Sequence, residues 1–287
     1  MSLPEPRTPA GVRALQAIIH SPGDTLIGLD FDGTLAPIVD DPEQAYADRA
    51  AVTALGRLGE RVRAVVVITG RPVRTAVRLG GFDSVPGLGG MVVLGQYGVE
   101  RWNADGNSFV IPPEPAEIVA VADELPGLLA ELGLGEARIE HKGRAIGVHT
   151  RTLPDPEAAF TQLAEPVRAL AKSHGLRIEP GRQVWEIRAP GVDKGAALRS
   201  FVSEVGARQV IFAGDDLGDL PAFDAVRQLR DEGIEGLLVC SASHEEDALV
   251  EISDVIVDGP TGVAGWLTTL ADALDGRGSV AGIPPPR

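Results

Sequence analysis

Six short runs made almost wholly of apolar residues constrain this chain most: "TLIGLD" from residue 25, "VRAVVVIT" from 62, "MVVLG" from 91, "QVIFAG" from 209, "GLLVCSA" from 236 and "DVIVDG" from 254. Each is too short for a buried helix, and most are rich in β-branched residues, so each reads as a strand. Between them lie helical patterns, such as "DRAAVTALGRLGE" with Val52, Leu55 and Leu58 on one face. Others are "RPVRTAVRLGG", "DKGAALRSFVSEVG", "LPAFDAVRQLRDEG" and "GVAGWLTTLADAL". Strands that are apolar on both faces and alternate with helices imply an α/β fold with a parallel sheet covered on both sides. With 44% hydrophobic residues in a chain of 287, a substantial core can form.

The texture changes in the middle. "VERWNADGNSFVI" reads as a hairpin around Asp105 and Gly106, "RIEHKGRAIGVHTR" as strands turning on Gly143, and "LRIEPGRQVWEIRA" as strands turning on Pro180 and Gly181. Two helical patterns accompany them, one with Phe160, Leu163, Val167 and Leu170 on a shared face. Pro126 and Pro166 are expected to kink or break those helices. The organisation expected is a core formed by residues 1–97 and 191–287, with residues 98–190 as an inserted α/β domain.

Charge and cysteine usage narrow the function. Twenty-six basic residues against 41 acidic ones give a formal net charge of −15, which argues against a general binder of nucleic acid or anionic membrane. A small anionic substrate needs only a local site. No apolar run approaches the ~18 residues of a membrane span, and residues 1–16 do not read as a secretory signal. The lone Cys240 has no internal partner, so a reducing cytoplasm is expected. Residues 1–9 and 276–287, rich in Pro or Gly, read as mobile tails.

In an open α/β sheet, ligands sit beyond the carboxyl ends of the strands. Asp30 ends the first run and Asp32 lies two residues on. Thr69, Gly70 and Arg71 follow the second run. "GDDLGD" ends a later one with Asp215, Asp216 and Asp219, and Lys194 opens the helix before it. Clustered carboxylates repel unless a cation neutralises them, and an all-oxygen donor set suits Mg²⁺. The chemistry implied is phosphoryl transfer to or from an activated carboxylate.

"DFDGTL", "TG" after the second strand, Lys194 and "GDDLGD", in that order, resemble the four motifs of the haloacid dehalogenase superfamily of phosphotransferases. The resemblance implies a Rossmann-like core with a cap domain. It implies Asp30 as nucleophile, Asp32 as general acid and base, and Mg²⁺ held by Asp30, Asp215 and the main-chain carbonyl of Asp32. Asp216 stands with the metal group, and Asp219 beside it, acting through water or by orienting Lys194. Thr69, Lys194 and the amides of the Asp32–Gly33 turn are expected on the phosphate, with Gly70 and Arg71 nearby. Within the superfamily, "LDFDGTLAPIV", "GQYGVERW", "EHKGRAIGVHTR" and "VWEIRAPGVDKGAAL" resemble the trehalose-6-phosphate phosphatase family. That implies sugar hydroxyls bound by Glu140, Lys142 and Glu186, with Arg188, His149 and Arg151 as lesser candidates. Gly218 and Leu220 depart from the family's usual threonine and glutamate. A trehalose-6-phosphate synthase is the expected biochemical neighbour, although no motif shows contact with one.

Taken singly, several of these residues have plainer readings. Asp215 and Asp216 are also what caps a helix at Leu217. Lys194 alone is a helix-start lysine, and Glu140, Lys142 and Glu186 alone are a cross-strand charge cluster. Cys240 and the tryptophans Trp102, Trp185 and Trp266 read as packing residues, with a modest claim for Trp185 beside Glu186. Two other functions stay open: a phosphatase for a different sugar phosphate, such as sucrose phosphate or glucosylglycerol phosphate, and a non-catalytic regulatory domain of the same fold.

Overall fold

The computed structural model describes residues 2–191, 193–242, 249–276 and 279–280. In chain order the first elements are β1 (Ser2–Leu3), α1 (Pro9–His20), β2 (Thr25–Leu29), α2 (Arg49–Gly59), β3 (Ala64–Ile68), α3 (Val73–Gly80), β4 (Val92–Gly95), β5 (Glu100–Asn103) and β6 (Ser108–Val110). There follow α4 (Ala116–Glu131), β7 (Arg138–His141), β8 (Ala145–His149), α5 (Pro156–Ser173), β9 (Arg177–Gly181) and β10 (Val184–Arg188). The last are α6 (Lys194–Val205), β11 (Gln209–Gly214), α7 (Leu220–Asp231), β12 (Glu235–Ala242), β13 (Val255–Asp258), α8 (Gly259–Leu274) and β14 (Ser279–Val280). They form two compact units, Met1–Ile111 with Val192–Arg287, and Pro112–Gly191.

The first unit is built on an eight-stranded sheet in the order β13-β12-β11-β2-β3-β4-β5-β6. It is parallel from β13 to β4 and antiparallel at β5 and β6. Period-two alternation sends successive side chains to opposite faces. Ile27, Leu29, Val65, Val67, Ile211 and Ala213 pack with Leu15 of α1, Leu55 of α2 and Leu267 of α8. Leu26, Val66, Ile68, Val210 and Phe212 pack with Leu198 and Phe201 of α6 and Phe223 of α7. Each such large apolar side chain contributes about 1.5–3 kcal/mol by leaving water. Two burials per strand explain why the strands read as unbroken apolar runs. Strand order reverses direction between β2 and β11, so their carboxyl ends flank the switch-point crevice where α/β sheets bind ligands.

Two expectations need correcting in this unit. The hairpin around Asp105 and Gly106 forms, with Gly106 at φ 71°, but its strands extend the core sheet through β4. Trp102 pairs with Val93 and is fully buried in the first core, so the second unit begins after Ile111 and not near residue 98. The amino-terminal segment is not a loose tail. Leu3 is fully buried, the Thr8 side chain caps α1, the Thr8 hydroxyl donates to Asp254, and the Arg7 amide donates to the Asp254 carbonyl. Of the expected carboxyl-terminal tail, residues 277–278 and 281–287 lie outside the described residues.

The second unit is an antiparallel sheet in the order β7-β8-β10-β9 with α4 and α5 on one face. Ile146, Val148, Trp185 and Ile187 meet Val121, Leu125, Leu163 and Val167 there. Neither proline breaks its helix: α4 runs through Pro126 and α5 through Pro166. Each proline removes a hydrogen bond to the carbonyl four residues back, but the residues beside it, Leu125 and Val167, are locked into the core. The β9–β10 turn also lies further along than Pro180 and Gly181. Gly181 pairs with Val184, leaving Arg182 and Gln183 as the two-residue loop, with Gln183 at φ 58°. Among the described residues no helix is long and apolar enough to cross a membrane.

Candidate functional site

In the first unit the buried Asp30, Asp215, Asp219 and Lys194 gather beyond the carboxyl ends of β2 and β11. Asp30 follows β2 and its amide donates to the Ala213 carbonyl of β11. Asp215 follows β11. Asp219 ends the helical turn after it, and its Oδ2 accepts the Asp215 amide at 3.0 Å. Gly214 is a requirement of this turn, because a Cβ there would lie 2.5 Å from the Asp219 carboxyl. Lys194, first residue of α6, reaches Asp30 Oδ1 at 2.6 Å and Asp219 Oδ1 at 2.7 Å. Asp30, Asp215 and Asp219 each present an oxygen within 4.8 Å of the others.

The electrostatics follow from three buried carboxylates sharing one buried ammonium. Burial first, then the neighbouring Asp219, holds the Asp30 carboxyl well above its ordinary range, with Lys194 opposing. Burial and the charges of Asp219 and Asp216 push Asp215 up to about 7. Burial likewise raises Asp219 against the pull of Lys194. Burial opposes the charge on Lys194, but Asp30 and Asp219 outweigh it and raise its affinity for its proton. One ammonium does not neutralise three carboxylates, and Asp215 Oδ1 is buried without a hydrogen-bond partner. An all-oxygen cluster with excess negative charge and an orphaned acceptor fits a hard divalent cation. Gly33, at φ 73°, completes the cradle, since a Cβ there would fall on the Asp215 carboxylate.

Several expected site residues are placed differently. Asp219, expected to act through water or by orienting Lys194, pairs with Lys194 at 2.7 Å and also belongs to the buried carboxylate cluster. Asp216 is exposed, and its Oδ1 accepts the Gly218 amide at 2.8 Å, so its side chain caps the turn instead of joining the cluster. The signal for this was present in "GDDLGD": an aspartate three residues after another is the reciprocal capping pattern, and both halves of that box form here. The Gly33 amide donates to the Ala36 carbonyl at 2.7 Å, and the Ser241 hydroxyl donates to the Gly33 carbonyl at 2.6 Å. In this conformation the Gly33 amide therefore closes its own turn.

Thr69 is buried after β3, and its hydroxyl accepts the Arg71 amide at 3.1 Å. Behind it, Gln96 and Tyr97 adopt positive φ of 49° and 61° in succession. Their amides donate to the carbonyls of Arg71 and Thr69 respectively, and a Cβ on Gly70 would meet the Tyr97 hydroxyl at 2.7 Å. Strained non-glycine backbone is retained where surroundings over-determine it, and here it props the Thr69–Arg71 loop. Arg71 itself forks onto Asp32, Nε to Oδ2 at 2.7 Å and Nη2 to Oδ1 at 2.6 Å. No sequence signal foretold that pairing.

In the second unit, register places Glu140, Gly147, Glu186 and Glu179 in one row across β7, β8, β10 and β9. This row lies on the sheet face opposite the helices. Lys142 Nζ reaches Glu186 at 2.7 Å and Glu140 at 3.9 Å, and His149 Nε2 lies 2.8 Å from Glu140. Burial favours the protonated form of Glu140, but the His149 hydrogen bond and Lys142 prevail and lower its proton affinity. Arg188 pairs with Glu179 at 2.8 Å, and Arg151 is exposed in the turn after β8. Trp185 is a packing residue: it stacks on Phe160 at 4.5 Å and its indole donates to the Phe160 carbonyl.

The family model described as trehalose-phosphatase matches residues 28–252. A trehalose-phosphate phosphatase of Mycobacterium avium is 32% identical over 254 residues, 86% of this chain and 62% of that protein. The chain thus spans about three fifths of that relative's length. Among solved structures, a trehalose-6-phosphate phosphatase from Aspergillus fumigatus aligns with a TM-score of 0.67 at 20% identity, covering 94% of this chain and 100% of that one. A haloacid dehalogenase-like hydrolase from Bacteroides thetaiotaomicron aligns with a TM-score of 0.59 at 18% identity, covering 85% and 98%. At those identities the structural matches establish the fold.

Proposed function

The chain belongs to the trehalose-phosphatase family, and from that premise we propose that it hydrolyses trehalose 6-phosphate to trehalose and phosphate through an aspartyl-phosphate intermediate. The observation that carries the reading is the buried Asp30–Lys194–Asp219–Asp215 cluster at the sheet's switch point. Asp30, Asp215 and Asp219 would hold Mg²⁺, joined by the main-chain carbonyl of Asp32. When bound, that ion offsets charge on the phosphoryl group and on the carboxylates. The Asp30 carboxylate attacks phosphorus and the bond from phosphorus to the sugar oxygen breaks. The Asp32 carboxyl gives its proton to the departing oxygen. The resulting Asp32 carboxylate then takes a proton from the water that attacks phosphorus, the acyl-phosphate bond breaks, and Asp30 is restored. Thr69 and Lys194 serve the phosphate oxygens, and Lys194, 2.6 Å from Asp30, favours its ionised form and aims it.

The sugar requires donors and acceptors in number, and the charged face of the second unit offers them. Glu140, Lys142 and Glu186 share that face around Gly147, whose missing side chain leaves room for the His149 ring that holds Glu140. Charged groups make the stronger hydrogen bonds to hydroxyls. These three are assigned to sugar recognition, with His149 holding Glu140. A panel of sugar phosphates compared by kcat/KM tests the assignment. Trehalose 6-phosphate should lead the panel, and a clear preference for sucrose phosphate or glucosylglycerol phosphate would replace the substrate while leaving the chemistry.

A further inference from the structure

A carboxylate gripped on both oxygens by a guanidinium is a poor starting point for proton transfer, and Asp32 is gripped in this way. Both of its oxygens lie under 3 Å from Arg71, at 2.7 Å to Nε and 2.6 Å to Nη2. The fork is anchored in turn. Arg71 Nη1 donates to the Pro42 carbonyl at 2.8 Å, the guanidinium lies 5.5 Å over the Phe31 ring, and the Arg71 amide is fixed by Thr69. The Arg71 side chain is only 13% exposed while that of Asp32 is 38% exposed. The rigid partner is therefore the arginine, and the carboxylate is the one with room to turn.

We propose that Arg71 is a positioning residue for Asp32, which it aims through the fork, rather than a ligand of the substrate phosphate. This rests on the reading of Asp32 as the proton donor. To protonate the sugar oxygen, one Asp32 oxygen must leave the fork and take up a proton from solvent while the other stays on the guanidinium. Arg71 thus keeps the carboxyl on a single hydrogen bond and restricts its rotation to the arc that sweeps the leaving group. Lysine does not replace it, because a point charge holds a carboxylate without fixing its plane.

The test is single-turnover phosphate transfer from a series of monoesters running from nitrophenyl phosphate to an alkyl phosphate. It is read in the wild-type protein and in Asp32→Asn, Arg71→Ala, Arg71→Lys and the double variant Arg71→Ala with Asp32→Asn. Poor leaving groups need the acid and good ones do not. Arg71→Ala and Arg71→Lys are expected to lose about 10- to 100-fold on the alkyl ester, part of the range for acid–base loss. They should lose under about 3-fold on the nitrophenyl ester. In the Asp32→Asn background, Arg71→Ala should add almost nothing, as for residues acting as one unit. Equal losses on all esters, rescued by Arg71→Lys, would show that Arg71 is a phosphate ligand and overturn the proposal. So would full additivity with Asp32→Asn. If Asp32→Asn itself shows no dependence on leaving group, the acid assignment falls and the Arg71 role falls with it. That outcome is distinct from a failure of Arg71 alone.

Discussion

Lys194 is the residue on which the carboxylate cluster depends. Its ammonium is 5% exposed and sits between Asp30 and Asp219. Lys194→Ala leaves two buried carboxylates uncompensated, and removing one partner of a buried pair costs about 3–5 kcal/mol. The variant should melt well below wild type and lose turnover on every phosphate ester, as read by calorimetry and phosphate release. The cluster also fixes a pH dependence. Burial raises the carboxyls of Asp30, Asp215 and Asp219 in the folded protein, Asp215 to about 7. Between the unfolded carboxylate range and those raised values, the folded state binds more protons than the unfolded one. Stability is therefore fully present at low pH and declines as pH rises. In a chelator, thermal melts should show the midpoint falling from pH 5 to pH 8, and Mg²⁺ should restore most of the loss at pH 8. A midpoint that rises over that interval in the metal-free protein would contradict the burial argument. The meeting of Asp30 and Asp215 was legible because strand ends in an α/β sheet are known from the apolar runs alone, and Lys194 reaches them from the start of α6. The distinction between Asp216 and Asp219 was half legible: the Asp-x-x-Asp spacing marked the capping turn, but not which of the two carboxylates Lys194 would take. The Arg71–Asp32 fork joins residues 39 apart in sequence, and nothing local encodes it.

At the scale of elements, periodicity foretold the parallel strands and the helices that cover them, since each strand had two faces to bury. It failed where a local rule lost to packing. Proline argued for broken helices, yet α4 and α5 continue because Leu125, Leu129, Leu163 and Val167 tie both to one core. Pro126 is exposed, so Pro126→Ala should regain a helical hydrogen bond without disturbing that core. Interior proline disfavours a helix by about 3 kcal/mol relative to alanine, and lost proline rigidity in the unfolded chain subtracts from the gain. A stabilisation of roughly 1–2 kcal/mol is expected in denaturant melts, and a destabilised variant would show that Pro126 has a packing role. The polar face of the second sheet makes a separate claim. Glu140→Ala, Lys142→Ala and Glu186→Ala each unpair a partner worth about 1–3 kcal/mol, or about 5- to 150-fold in kcat/KM for trehalose 6-phosphate. Turnover of a small aryl phosphate should hold. Equal losses on both substrates would mean that these residues act through folding rather than recognition.

At the scale of the whole molecule, the two units divide the work: one gathers carboxylates beyond the carboxyl ends of β2 and β11, the other spreads charged groups over a sheet face. The boundary between them was the least legible feature, because the β5–β6 hairpin looks like the start of an insertion and is held in the core sheet by Trp102. The net charge of −15 would leave the proposed doubly charged substrate without general attraction, so Lys194 and the proposed cation would have to supply it. The account turns on a covalent phosphatase centred on Asp30. Its most direct test is phosphate release from trehalose 6-phosphate with Mg²⁺, measured side by side for the wild-type protein and Asp30→Asn. The wild type should release phosphate, stop in a chelator and resume with Mg²⁺, while Asp30→Asn stays folded at background. Sustained release by Asp30→Asn, or none by the wild type, would contradict it.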